Sequence, residues 1–528
     1  MATYSIIIKN GTIFDGSGGP SKEADIGIDD GKIKEIGDLK DETASLIIDA
    51  SDKYVAPGFI DITTHSDTHW TLFSQPSQES FIRQGVTTII GGHGGSSLAP
   101  LVKGENIETI QKWVDISKIN VNWQSMGEFL SELERHPIGV NFGTFVGFGT
   151  IRRGILDEQS RPAKKDEIKQ MEYLAERSLN EGAFGISTNL GAAHQNSASN
   201  EEILQIFKVA EKRGALTVHH LENEGKNLLP ALAHLISLAR NSGVRSHINH
   251  FKAVGKSVWA SFPQGLEMVE QAHKEKVQLT CDFFPYTKTG SNLYMLLPEW
   301  AIESGKEKIL SFINGKERKY LLDFLKDLTL HYEKITIAST LHDLDVVGKN
   351  LLELSQKSGI SPEETILDLL NVNELQVSIF SEAISEENIE ILAAKDYSMV
   401  ASDGVGYEGN YRSKTDLPHP RSFGAFCRVL SHFVREKEIL DWPNAIYKMT
   451  GFPAKILGIA DRGILKENTC ADIVVFDPKT VEDKANYINP YQFPKGIEYV
   501  LINGGIVLKE NALTAVDQGR ILRPAGRD

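Results

Sequence analysis

Short apolar runs that close on a polar residue recur through the middle of the chain. They are Phe59-Ile-Asp-Ile-Thr-Thr-His65, Val86-Thr-Thr-Ile-Ile-Gly-Gly-His93, Val140–Val146, Ala183–Ser187, Leu216–His220, Arg245–His250, Gln278–Phe284 and Tyr397–Asp403. Runs of this length read as buried strands. Between the fifth and sixth, Lys226–Ser242 is apolar at Leu228, Leu229, Ala231, Leu232, Leu235, Ile236 and Ala239. That is the spacing of one helix face, and Gly243 closes it. Asn200–Arg213 reads as a helix too, with Asn200 as N-cap, Glu201 and Glu202 in its first turn, and Gly214 beyond. Strand, helix and strand in this order imply parallel strands with right-handed crossovers. Eight such runs predict an α/β fold, a (β/α)8 TIM-like barrel. The gap between the seventh and eighth, about 288–395, is an insertion with helical stretches at Leu297–Leu328 and Asn350–Leu370, placed to cover the barrel mouth.

The two ends of the chain follow a different period. Ser5–Lys9 and Thr12–Phe14 flank Asn10-Gly11, while Asp25–Ile28 and Ile33–Ile36 flank Asp29-Asp30-Gly31, a hairpin signal. Near the other end, Ala471–Asp477 is followed by Tyr499–Leu508 with a turn at Asn503-Gly504. Neither end has enough strands for a stable sheet alone. Residues 1–55 and 459–528 are therefore expected to form one small β-sandwich beside a barrel of 56–458.

Composition narrows the partners. At 528 residues with a net charge of −15 and no basic stripe, the chain is not expected to bind nucleic acid or an anionic membrane. No apolar run reaches about 18 residues, so no membrane span is expected. The N-terminal stretch has no basic segment and reads as strand rather than leader. Cys281, Cys427 and Cys470 are far apart without metal spacing, which fits a cytoplasmic protein.

Chemistry collects at the strand ends, where such barrels hold their sites. His65, His93, His220, His250 and Asp403 all close apolar runs. His220 and His250 end neighbouring parallel strands, and converging neutral imidazoles suit a divalent metal, zinc above all. Asp67 and His69, just past the first run, read as solvated.

Several stretches together resemble the N-acyl-D-amino-acid deacylases (D-aminoacylases) of the amidohydrolase superfamily. They are Ala56-Pro-Gly-Phe-Ile-Asp61, Gln84-Gly-Val-Thr-Thr88, Ser97-Leu-Ala-Pro100, His220-Leu-Glu-Asn-Glu-Gly225, Asn249-His-Phe-Lys252, Phe284-Pro-Tyr-Thr287, Ser402-Asp-Gly404, His419-Pro-Arg421 and Lys448-Met-Thr-Gly451. The resemblance runs from Gly11 to about Gly505. It implies a metal-dependent hydrolase of a small-molecule substrate, an N-acyl-D-amino acid. It also implies His220 and His250 as ligands of the tight zinc, Asp403 as general base and acid, and Lys252, Tyr286 and Arg421 as binders of the substrate carboxylate. Two positions depart from the family pattern. The strand-one His-x-His pair, which the resemblance implies as ligands of a weaker second metal with Asp403, reads Thr63-Thr64-His65 and leaves His65 as the metal candidate there, and the cysteine after strand two is replaced at Gly94. A binuclear centre in the family's form is then excluded, and one zinc per chain is expected, on His220, His250 and His93, with water or Asp403. The competing readings are another amide or dipeptide hydrolase, and a pseudoenzyme that binds without cleaving.

Overall fold

The computed structural model describes residues 3–103, 116, 119–157, 159–302, 304–328, 330–413, 416–514 and 517–524. All eight apolar runs contain parallel strands. They are β6 (Phe59–Asp61), β7 (Val86–Gly91), β8 (Asn141–Thr144) continued by β9 (Val146–Gly147), β10 (Gly185–Asn189), β11 (Leu216–His220), β12 (Arg245–Ile248), β13 (Leu279–Phe283) and β17 (Ser398–Val400). β7 lies between β6 and β8, while β9 to β13 pair in chain order and β13 pairs with β17. The third strand is split at Phe145, so its first half pairs with β7 and its second with β10. Closure comes from a parallel bridge between Thr64 and Gly404, with His65 N donating to Gly404 O (2.8 Å) and Asp403 N to Thr63 O (3.0 Å). Ile60, Ile62, Ile90, Phe145, Phe184, Leu216, Val218 and Met399 form a buried cluster from strands all round the ring, so the interior is a packed core.

The crossover helices follow their capping chemistry. Leu228–Ser242 ends on Gly243 in the left-handed region (φ 75°). The helix at Asn200–Lys212 is capped one residue earlier than expected: the Ser199 hydroxyl, not Asn200, accepts from Glu202 N. Ser199 has the extended backbone that a cap requires, whereas Asn200 is already helical, and its side chain meets His234 instead (2.9 Å).

Both chain ends enter one nine-stranded sheet. β5 (Tyr54–Pro57) joins the halves, pairing with β1 (Tyr4–Ile13) on one side and β18 (Ile473–Phe476) on the other. The edge strand β3 (Lys32–Gly37) meets the turn before β18 through Ile33 N to Thr469 O (3.0 Å) and Asn468 N to Ile33 O (2.8 Å). The sheet thus folds back around Ile8, Ile26, Ile33, Val55, Ile473 and Leu501. The turn signals at Asp30-Gly31 and Asn503-Gly504 make two-residue hairpins with positive φ at both positions. Asn10-Gly11 does not turn the chain. β1 runs through it with a bulge, because Asn10 (φ 61°) gives its N–H to Asp25 (2.9 Å).

Between β13 and β17 the insertion builds an antiparallel sheet, β14 (Lys288–Asn292), β16 (Val377–Glu382) and β15 (Ile335–Thr340), with β16 central. Helices pack on it around a separate core that includes Leu293, Leu297, Ile313, Leu351 and Ile366. The stretch 297–328 is three helices rather than one, since Gly305 (φ 86°) and Gly315 interrupt it; residue 303 lies outside the described residues. The second stretch breaks at Gly359 and restarts in a capping box at Ser361. Gly255 N to Ala383 O (2.8 Å) and Leu417 N to Ala338 O (2.9 Å) tie the insertion to the loops after β12 and β17. It therefore stands over the C-terminal mouth.

Candidate metal centre and active site

At the mouth a cavity of about 310 Å3 is lined by Thr63, His65, His93, Gly94, Asn189, His220, His250, Asp403 and Arg421, among others. His220 Nδ1 and His250 Nε2 face each other at 3.0 Å. Burial pushes His220 down to about 4, so its imidazole is neutral and offers a lone pair near pH 7. The opposite nitrogen of His250 sits 3.0 Å from Glu224 Oε1, and Lys252 Nζ donates to the same oxygen at 2.6 Å. Burial works to raise Glu224, but Lys252 and the two imidazoles hold its carboxyl well below the usual range. His220, Glu224 and His250 bring their ligand atoms within 4.8 Å of one another. Glu224 Oε1 thus stands on the His250 ring nitrogen turned away from His220. Sequence reasoning missed it: four residues past a strand end, it looks no different from Glu222, which pairs with His234.

His93 lies in the same cavity but outside that triplet. Both its ring nitrogens are buried and, among the described residues, make no hydrogen bond of normal geometry, with Asn249 the nearby polar side chain; burial, then the neighbouring His65, pushes it down to about 3. Buried polar atoms are normally paired, so a neutral imidazole left open on both sides fits a cation site. The donor set of neutral histidines with a carboxylate behind suits zinc.

Asp403 faces this group across the cavity with φ 52°, and His250 has φ 37°. Non-glycine residues occupy this region at a cost, and hydrogen bonds hold both in place. Asp403 N donates to Thr63 O, and His250 N donates to Asp282 Oδ1 at 2.6 Å. The Asp403 carboxylate takes His65 Nε2 on one oxygen (2.8 Å) and Arg421 Nη1 on the other (2.6 Å). Burial works to raise Asp403, but Arg421 above all, then His250 and His65, hold it well below the usual carboxylate range. His65 is thus a partner of Asp403 here rather than a member of the His220–His250 group.

Tyr286, Lys252 and Asp67 sit in contrasting surroundings. The Tyr286 hydroxyl lies beside Gly424, buried without a hydrogen-bond partner among the described residues, and the Arg428 guanidinium stands over its ring at 5.1 Å while Pro285 O accepts from Arg428 Nε. The Lys252 ammonium meets Glu224 Oε1 at 2.6 Å. Asp67 is buried rather than solvated and accepts from Gly92 N at 2.7 Å, which shapes the glycine-rich loop; His69 is exposed. The substituted positions also have structural roles. Thr63 donates to Asp282 (2.6 Å) and accepts from Asn249 (2.8 Å), so its oxygen is occupied. Gly94, at φ 65°, has open space where a side chain would project.

No family model matches the chain. Over 519 residues it is 30% identical to the N-acyl-D-glutamate deacylase of Alcaligenes xylosoxydans xylosoxydans, covering 98% of this chain and 96% of the relative. The chain belongs to the N-acyl-D-amino-acid deacylase family. Solved structures agree with that membership. The deacylase for N-acyl-D-glutamate from Bordetella bronchiseptica, complexed with zinc and a phosphonate mimic of the tetrahedral intermediate, superposes with a TM-score of 0.83 at 26% identity, covering 98% and 99% of the two chains. A D-aminoacylase, studied for one-metal activation and second-metal attenuation of its binuclear centre, gives 0.82 at 28% identity over 98% and 100%.

Proposed function

We propose that the chain is a zinc-dependent hydrolase that cleaves the amide of N-acyl-D-amino acids, with one tightly held zinc. The observation that carries this is the facing pair His220 and His250 with Asp403 across the same cavity. The D-configuration rests on the relatives. His220 and His250 would hold the metal, with Glu224 and Lys252 fixing His250, and His93, in the same cavity though outside that ligand-atom group, would serve as third ligand by a shift of its ring. Zinc there supplies polarisation of the amide carbonyl and makes water more acidic. Asp403 accepts the proton of the attacking water and returns it to the leaving amine. His65 holds the Asp403 carboxylate by one oxygen, leaving the proton-transfer geometry defined. Arg421 uses one nitrogen on Asp403, and the rest of its fork is available for the substrate carboxylate. Binding at that end orients the scissile bond. A single zinc is favoured because Thr63 is engaged by Asp282 and Asn249 and Gly94 has no donor.

The test is metal analysis followed by a panel of N-acetyl-D- and N-acetyl-L-amino acids with zinc supplied. One equivalent of zinc and turnover of D-forms are expected. Silence across the panel from zinc-loaded protein would favour a binding protein without catalysis.

A further inference from the structure

A second cavity, about 740 Å3 and more than twice the catalytic one at about 310 Å3, opens beside it and shares Asn189 and His220 with its wall. The barrel supplies one side, and the insertion supplies Tyr294, Met295, Leu297, Ile302 and Ile309. Its charged groups are already matched: Lys306 Nζ meets Glu374 at 2.8 Å, and Glu222 meets His234 at 2.9 Å. The rest of the lining is uncharged, with Asn189, Asn196 and Asn223 on the barrel side and the apolar residues on the insertion side, where Met295 is 53% exposed and Leu297 is buried. We propose that this gallery receives the acyl chain of the substrate, and that the enzyme prefers N-acyl-D-amino acids with medium or long aliphatic acyl groups over N-acetyl ones.

Direction follows from topology. Arg421 and Asp403 come after the eighth strand, beside the first, whereas Asn189 and His220 end the fourth and fifth, across the ring. A substrate with its carboxylate at Arg421 and its amide at His220 and His250 must send its acyl end past His220, into the gallery. The inference rests on the deacylase reading.

The experiment compares kcat/KM for N-acetyl-, N-octanoyl- and N-lauroyl-D-leucine, beside an N-acetyl series of D-alanine, D-leucine and D-phenylalanine. Burial of the six added methylenes predicts a rise on the order of 10³-fold from acetyl to octanoyl. Met295→Asp, at an exposed position away from the catalytic groups, should abolish that rise and leave N-acetyl turnover unchanged. Ile302→Asp should do the same. Equal kcat/KM along the acyl series overturns the proposal while the deacylase reading stands. So does a rise that follows the amino-acid side chain instead and is lost in Met295→Asp. Silence toward both series removes the deacylase reading and the gallery with it.

Discussion

Asp403, buried, and Glu224, half-buried, are both carboxylates at the mouth, and substitution should separate their roles. Asp403 faces the cavity, so Asp403→Asn is expected to keep the metal and lose activity by on the order of 10²-fold or more. Glu224 touches His250 and Lys252, so Glu224→Gln should weaken metal retention about 10- to 100-fold against a chelator. Full activity in Asp403→Asn, or unchanged metal affinity in Glu224→Gln, would reverse the assignment. The strand-end histidines and Asp403 were legible in the sequence because each closes an apolar run, and strand direction then fixes which end of the barrel they share. Glu224 was not legible, since its role depends on a loop folding back over the neighbouring strand. Nor were the orientations of Lys252 and Tyr286: a long side chain chooses between a substrate and a buried carboxylate by distances that spacing does not carry.

Elements were read most clearly where the backbone itself demanded a residue type. Asp30-Gly31, Asn503-Gly504 and Gly243 are such places, all with positive φ. Asn10 shows the limit, because the same left-handed residue can serve a turn or a bulge, and only Asp25 in the paired strand decides. The cap at Ser199 is a similar near-miss by one position. Its helix carries Glu202, which makes a fully buried ion pair with Arg152 (2.7 Å), so the helix start is tied to the barrel wall. Ser199→Ala is expected to cost about 1 kcal/mol. Denaturant midpoints would show it, and an unchanged midpoint would mean that Glu202 N finds another acceptor. Ser197→Ala, two residues earlier and bonded only loosely to His194 O (3.3 Å), should cost less.

Stability of the whole molecule should depend on pH through histidines that folding buries as neutral groups. His219 is held by Thr188 and Thr217 at 2.8 and 2.9 Å, and burial, then His247, pushes it down to about 3. His194 donates to Asp157 O at 2.7 Å and is pushed down to about 4 by burial and then by Arg153. In the unfolded chain both return to an ordinary value near 6.5. The unfolded state then binds protons first as pH falls, so stability is present above about 6.5 and is lost progressively toward pH 4 and 3. Between pH 6.5 and 5 each histidine should withdraw about 2 kcal/mol, at roughly 1.4 kcal/mol per unit. Urea midpoints at pH 7, 6 and 5 would read this, with an unchanged denaturant slope showing that the same transition is being followed. His194→Gln keeps a neutral donor for the Asp157 carbonyl and cannot take up the proton, so it should flatten the pH dependence while costing little at pH 7. A midpoint that stays level from pH 7 to 5, or a slope that His194→Gln leaves untouched, would mean that these side chains reach solvent and charge without unfolding the barrel.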